Sequence, residues 1–309
     1  MKKTHAKPKP VNLSQPFYGD LLARSLLRIG VPKFEAYEIA HEIWKKISHR
    51  KNAPLKISKL VVDFLKERHP TLIPRYRVWQ KIMKSPKPLI LIIGGGTGIG
   101  TSTLAVRLAW LLIFSHVVGT DSVREIVRRL LPQSVIPSLS VSTFEEANTS
   151  SVIRSKRDRL IAGFLSQSRK VLFGIEALID RAMREKKSTV IEGIHLIPGE
   201  MDFLDRYSKQ AMIIPIMLDI RSQSSHRARF LSRNLQNSKR PKDRYLKFFK
   251  EIRLIRDYLV EASRKRHVPV VENYDLRDAE RALMDAIFKA YNSRKKGAGP
   301  RHAKLPKKS

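Results

Sequence analysis

The chain has 309 residues, enough for about two domains, and its 42% hydrophobic and 29% charged content excludes wholesale disorder and collagen-like repeats. It contains no cysteine, which excludes disulfides, iron–sulfur clusters, thiolate zinc sites and a cysteine nucleophile. The net charge is +33, from 61 Lys and Arg against 28 Asp and Glu; such a chain attracts polyanions, whether nucleic acid, anionic lipid headgroups or small phosphorylated metabolites, or else the charge is an adaptation to a cytoplasm rich in salt.

Residues 1–16 read as a basic flexible arm carrying Lys2, Lys3, Lys7 and Lys9, with no apolar stretch of the kind a secretory signal has. Residues 17–85 are predicted to form a small helical domain. Ile39, Ala40, Ile43, Trp44 and Ile47 make one apolar helical stripe, Leu60, Val61, Phe64 and Leu65 a second, and Tyr76, Trp79, Ile82 and Met83 a third. Ser85-Pro86-Lys87-Pro88 then breaks helix and leads into the apolar run 89–93, of the kind buried in the middle of a parallel sheet.

From there strand and helix alternate. Helices are expected at 102–114, 122–131, 171–182, 222–235, 242–263 and 278–291, and strands at 117–118, 188–191, 212–218 and 268–271, with the polar stretch before 169 left unassigned. This alternation predicts an α/β domain over residues 86–292, a parallel sheet wrapped by helices. Residues 293–309, with Arg294, Lys295, Lys296, Arg301, Lys304, Lys307 and Lys308, read as a basic disordered tail. The apolar stretches at 104–118 and 211–218 are too short, or are interrupted by Arg107, to span a membrane, so the chain is expected to be soluble and cytoplasmic.

Gly95-Gly96-Thr97-Gly98-Ile99-Gly100-Thr101-Ser102-Thr103 joins the first apolar strand to a helix, the context a phosphate-cradling loop requires. The spacing fits a P-loop and puts the Ser102 hydroxyl where it would ligate Mg²⁺, although Thr101 stands where such loops carry lysine. A purely structural glycine turn is the alternative. Asp121 and Arg124 follow the second strand and suit an acceptor site, Asp121 for the hydroxyl proton and Arg124 for an anionic group. Against this, Ser122 and Glu125 have capping-box spacing, which needs no function.

Glu192 and His195 emerge after the third strand, at the carboxyl edge where ligands bind. Glu192 would organise Mg²⁺ and His195 would touch substrate, unless His195 is a satisfied structural histidine. Arg229 and Arg233, four apart on a helix, would reach the transferring phosphoryl group or else form a solvated basic face.

Taken together, GGTGIGTST, TDSVREIVR, GIEALIDRA with STVIEGIHLIPG, and LDIRSQSSHRARFLSR resemble archaeal 2-phosphoglycerate kinases over about residues 88–292. In that family threonine in the loop-lysine position is common. The resemblance implies a P-loop fold, ATP and Mg²⁺, and phosphorylation of 2-phosphoglycerate to 2,3-bisphosphoglycerate, the precursor of cyclic 2,3-diphosphoglycerate in some archaea. The region with Gln15-Pro16-Phe17 and Ala40-His41-Glu42-Ile43 looks like an ATP-cone whose N-terminal hairpin is replaced by a Pro/Lys arm. The resulting expectation is a kinase of a small phosphorylated acid that meets nucleic acid only through non-specific charge. The alternative is an ATP-binding nucleic-acid-associated protein or a nucleic-acid end kinase, although a 7% aromatic content offers little for base stacking.

Overall fold

The computed structural model describes residues 17–48, 57–130, 155–232 and 242–295. The chain divides into two compact units, residues 1–80 and 81–309. The first unit holds α1 (Phe17–Ile29), α2 (Lys33–Ser48), α3 (Ile57–Arg68), a 3-10 turn (Pro70–Leu72) and most of α4 (Ile73–Met83). Ile39, Ala40, Ile43 and Ile47 are buried along α2, as are Val61, Phe64 and Leu65 along α3. Tyr76 and Trp79 are buried on α4, whereas Met83, expected on the same stripe, is exposed.

The second unit is built on five parallel strands: β1 (Leu89–Gly95), β2 (His116–Gly119), β3 (Thr189–Gly193), β4 (Met212–Asp219) and β5 (Val270–Glu272), in the order β2-β3-β1-β4-β5. The central strand β1 is buried along its whole length, which is why it reads as an uninterrupted apolar run. Its neighbours fix the register: Gly94 lies level with Gly193 and Met217, and Glu192 lies level with Ile93 and Gly119. The glycine-rich end of β1 is therefore flanked by the carboxyl ends of β3 and β4.

Helices cover the sheet. Ile90, Ile92, Ile191 and Ile213 pack with Val171, Ile175 and Ile179 of α7 (Lys156–Glu185) and with Val123 of α6 (Thr120–Leu130). A second cluster joins Leu160 and Phe164 of α7 to Met217, to Phe230 of α8 (Gln223–Ser232) and to Ile252, Ile255 and Leu259 of α10 (Phe249–Lys265). Each such aliphatic side chain contributes about 1.5–3 kcal/mol when fully buried. On the sheet, α5 (Thr101–Leu112) packs against β1, β2 and β3, and α11 (Leu276–Lys295) packs against α5, β4 and β5.

Three expectations are corrected. α7 is a single 30-residue helix, so the unassigned stretch before residue 169 belongs to it from Lys156 onward. The helix expected at 242–263 is two helices, α9 (Lys242–Lys247) and α10, meeting at Phe248. α6 begins at Thr120 rather than at residue 122; Ser122 lies inside its first turn, and Glu125 takes Arg128 and Arg129 as partners, so no capping box forms.

Candidate active site

The loop between β1 and α5 owes its shape to contacts from α8. His226 Nε2–H donates to the carbonyl of Thr97 at 2.9 Å, and Arg229 Nη1 donates to the carbonyl of Ile99 at 2.8 Å. Asn273 Nδ2 donates to that same Ile99 carbonyl at 2.7 Å. All peptide bonds here are trans, and a trans peptide sets C=O and the following N–H on opposite sides. The N–H groups of Gly98 and Gly100 therefore point away from α8, the disposition an anion needs. Gly98 has φ +86 and its missing side chain makes way for the Phe230 ring; Gly100 has φ +94 and starts α5. The positive end of α5 adds to the loop's anion potential.

Arginines surround the loop. His226 has its pKa lowered, first by burial and then by Arg253, Arg229 and Arg256, while its bond to the Thr97 carbonyl opposes the shift. Arg256 binds both carboxylate oxygens of the buried Asp219 at the end of β4, and its backbone approaches Gly96, where a Cβ would stand 3.4 Å from Arg256 Cβ. Thr101, in the lysine position, turns its methyl toward Gly95.

Ser102, exposed in the first turn of α5, donates to Glu192 Oε1 at 2.9 Å. Glu192 is largely buried at the end of β3, in space left by Gly119, where a Cβ would meet Oε1 at 2.9 Å. A hydroxyl and a carboxylate beside a phosphate loop form a hard-oxygen donor pair of the type Mg²⁺ prefers. Among the described residues no group of three or more His, Asp or Glu could hold a metal ion unaided. The pair therefore suits an ion that completes its shell with phosphate oxygens and water.

Asp121 is exposed and Arg124 partly exposed on the first turns of α6. Both lie near enough to His195 to act on its charge, Asp121 raising and Arg124 lowering its pKa. His195 is fully buried; burial dominates and pulls its pKa down to about 4. Both of its ring nitrogens have protein partners, Thr120 Oγ1 at 2.9 Å and Gln167 Oε1 at 3.2 Å. Arg229 is engaged with the carbonyls of Ile99, Asn273 and Tyr274. Arg233 lies outside the described residues.

The structure thus brings the loop, Ser102, Glu192, Asp121, Arg124 and His195 to one edge of the sheet. Sequence reasoning missed Thr120, Gln167, Asp219, Arg256 and Asn273, and gave His226 and Phe230 no part in shaping the loop. One signal existed for Asp219: a lone acid closing the apolar run MIIPIML of a central strand.

A glycine loop leaving the central strand of a parallel sheet, with a hydroxyl at the start of the next helix and an acid on the neighbouring strand, defines a P-loop kinase fold. No family model matches the chain. It is 36% identical over 277 residues to the 2-phosphoglycerate kinase of Methanocaldococcus jannaschii, covering 88% of this chain and 87% of that one. To the 2-phosphoglycerate kinase of Methanopyrus kandleri it is 34% identical, covering 88% and 84%. To that of Pyrococcus horikoshii it is 35% identical, covering 93% and 94%. The chain belongs to the 2-phosphoglycerate kinase family. Among solved structures, a gluconokinase from Sinorhizobium meliloti is a distant likeness, at a TM-score of 0.38 and 14% identity over 69% of this chain and 98% of its own.

Proposed function

We infer that the protein transfers the terminal phosphoryl group of ATP to the free hydroxyl of 2-phosphoglycerate, giving 2,3-bisphosphoglycerate and ADP. The observation that carries this reading is the 36% identity to a 2-phosphoglycerate kinase over 88% of the chain. The site geometry agrees with it. The Gly98 and Gly100 N–H groups would receive the phosphates of ATP, and Ser102 with Glu192 would hold Mg²⁺, which when bound neutralises charge on the phosphate oxygens. Asp121 would orient the acceptor hydroxyl and take its proton as the new P–O bond forms and the bond to ADP breaks. Arg124 would grip the acceptor's phosphate or carboxylate. Arg229 would serve the transferring group through the loop it holds, and the start of α5 with the neighbouring arginines would supply the positive potential that a loop lysine gives elsewhere. Transfer of this kind needs positioning and charge neutralisation more than a nucleophile.

The test is ADP release with Mg²⁺ and ATP against 2-phosphoglycerate, 3-phosphoglycerate, glycerate and a 5′-hydroxyl oligonucleotide. Release that depends on 2-phosphoglycerate is the expected result. Silence with every small acid, or release only with the oligonucleotide, removes the reading.

A further inference from the structure

Three fully buried polar side chains, Thr120, His195 and Gln167, form a connected chain across three segments. Gln167 belongs to α7, His195 to the turn after β3, and Thr120 is the first residue of α6. Because Gln167 Oε1 can only accept, His195 Nε2 carries the proton, and Nδ1 is left to accept from the Thr120 hydroxyl. The same Thr120 presses on Gly193, which has φ +139 and where any Cβ would overlap Thr120 Oγ1. The short run from Glu192 to His195 therefore touches both halves of the site. Glu192 takes the hydroxyl of Ser102 on α5, and His195 takes the hydroxyl of Thr120 on α6.

We propose that Thr120, His195 and Gln167 are positioning residues that set the first turn of α6, with Asp121 and Arg124, at a fixed distance from Ser102 and Glu192. His195 then acts through Thr120 and touches no substrate. Buried polar groups with no water to replace a lost partner hold one geometry. Asp121 is the next residue after Thr120, and Arg124, four on, shares its side of the helix. Neither of the two hydrogen bonds that join Thr120, His195 and Gln167 runs to the loop between β1 and α5, whereas Thr120 begins the helix that carries Asp121 and Arg124, so the influence argued here is on the acceptor side of the site. The proposal rests on the kinase reading above.

Thr120→Val removes the hydroxyl and keeps the shape, and Thr120→Ser restores the hydroxyl. In steady-state kinetics we expect the Val variant to raise the KM for 2-phosphoglycerate roughly tenfold or more, with the KM for ATP within about twofold of wild type, because a misplaced acceptor group is costly while the nucleotide loop is untouched. The Ser variant is expected to recover the acceptor KM to within about threefold. Gln167→Leu, which breaks the other end, makes the same comparison should the Val variant not fold. An unmoved acceptor KM, a parallel rise in both KM values, or a Ser variant no better than Val overturns the network. Wild-type turnover is measured first: its absence overturns the kinase reading and the proposal with it, whereas an active enzyme with an unmoved acceptor KM in the variants overturns the proposal alone.

Discussion

At Gly98 the backbone has φ +86 and the Phe230 ring occupies the space a side chain would need. An alanine there takes a left-handed conformation at a cost of about 1–2 kcal/mol and also displaces Phe230. Gly98→Ala is expected to lower the melting temperature and to weaken ATP binding about tenfold or more; calorimetric titration with ATP checks it, and wild-type affinity would remove the loop from the nucleotide site. Ser102 is the opposite case, an exposed side chain whose loss opens no cavity. Ser102→Ala, which takes one donor from Glu192, is expected to keep the fold with only a small drop in melting temperature and to cut turnover about 100-fold or more, the usual scale for losing one preorganised group at developing charge. His195 carries a pH signature. Burial, helped by Arg124 and opposed by Asp121, lowers its pKa from 6.5 to about 4. Between those values the unfolded chain binds a proton that the folded chain refuses, so this contribution to stability is complete above pH 6.5 and is lost as the pH falls toward 4. Melting curves across that window should fall more steeply for wild type than for His195→Gln; parallel curves would contradict a buried neutral histidine.

At the scale of elements, the end of β4 and the middle of α10 meet in one ion pair. Asp219 takes Nε and Nη2 of Arg256, whose Nη1 goes to the exposed Asp257 at 2.6 Å, and the side chains of Asp219 and Arg256 are only 2% and 12% exposed. Removing Asp219 leaves the largely buried Arg256 with only the exposed Asp257, at a cost of up to about 3–5 kcal/mol. Asp219→Ala is therefore expected to lose that much in urea unfolding, and Arg256→Met added to it should recover part of the loss; a penalty under about 1 kcal/mol would show the pair to be solvated. The sheet was legible because β1, β3 and β4 are apolar runs bounded by glycine, proline or an acid, and such runs need no partner to be recognised. α7 was half hidden for the converse reason. Its second half buries Val171, Leu172, Ile175 and Ile179, an ordinary apolar stripe, whereas the buried stripe of its first half includes Gly163, Gln167 and Ser168. Gln167 is inside because it holds His195, a relation no local pattern carries. The start of α6 was misplaced by the same kind of long-range term. Ser122 and Glu125 have the spacing of a cap, yet Gly193 at the end of β3 and His195 in the turn after it decide that Thr120 begins the helix. The loop, Ser102 and Glu192 were readable because strand, glycines and helix stand consecutively. The ring of His226, Arg229, Phe230, Asn273 and Arg256 that shapes the loop was not, because those residues come from three later segments.

Across the whole molecule, 61 basic against 28 acidic residues leave +33, and two classes of anion compete to explain it. A small acid bearing a phosphate and a carboxylate is drawn toward such a surface by a field that salt screens over about 8–10 Å. No base contact is needed for nucleic acid to be drawn as well, since neutralised phosphates release counterions and the affinity then falls steeply with salt. The two consequences separate cleanly. The kcat/KM for 2-phosphoglycerate is expected to fall several-fold between about 50 mM and 500 mM salt, while kcat itself, set inside the site between the loop and α6, changes little. Duplex or single-stranded DNA is expected to bind at low salt with a steep salt slope, and that binding should be the same in the Ser102→Ala variant, because it draws on surface charge rather than on the loop. Filter binding and steady-state kinetics over the same salt series measure both. Nucleic-acid binding that survives about 500 mM salt and disappears in Ser102→Ala would assign the charge to a nucleic-acid substrate at the nucleotide site; a salt-insensitive kcat/KM would leave the surface charge without a role in acceptor capture.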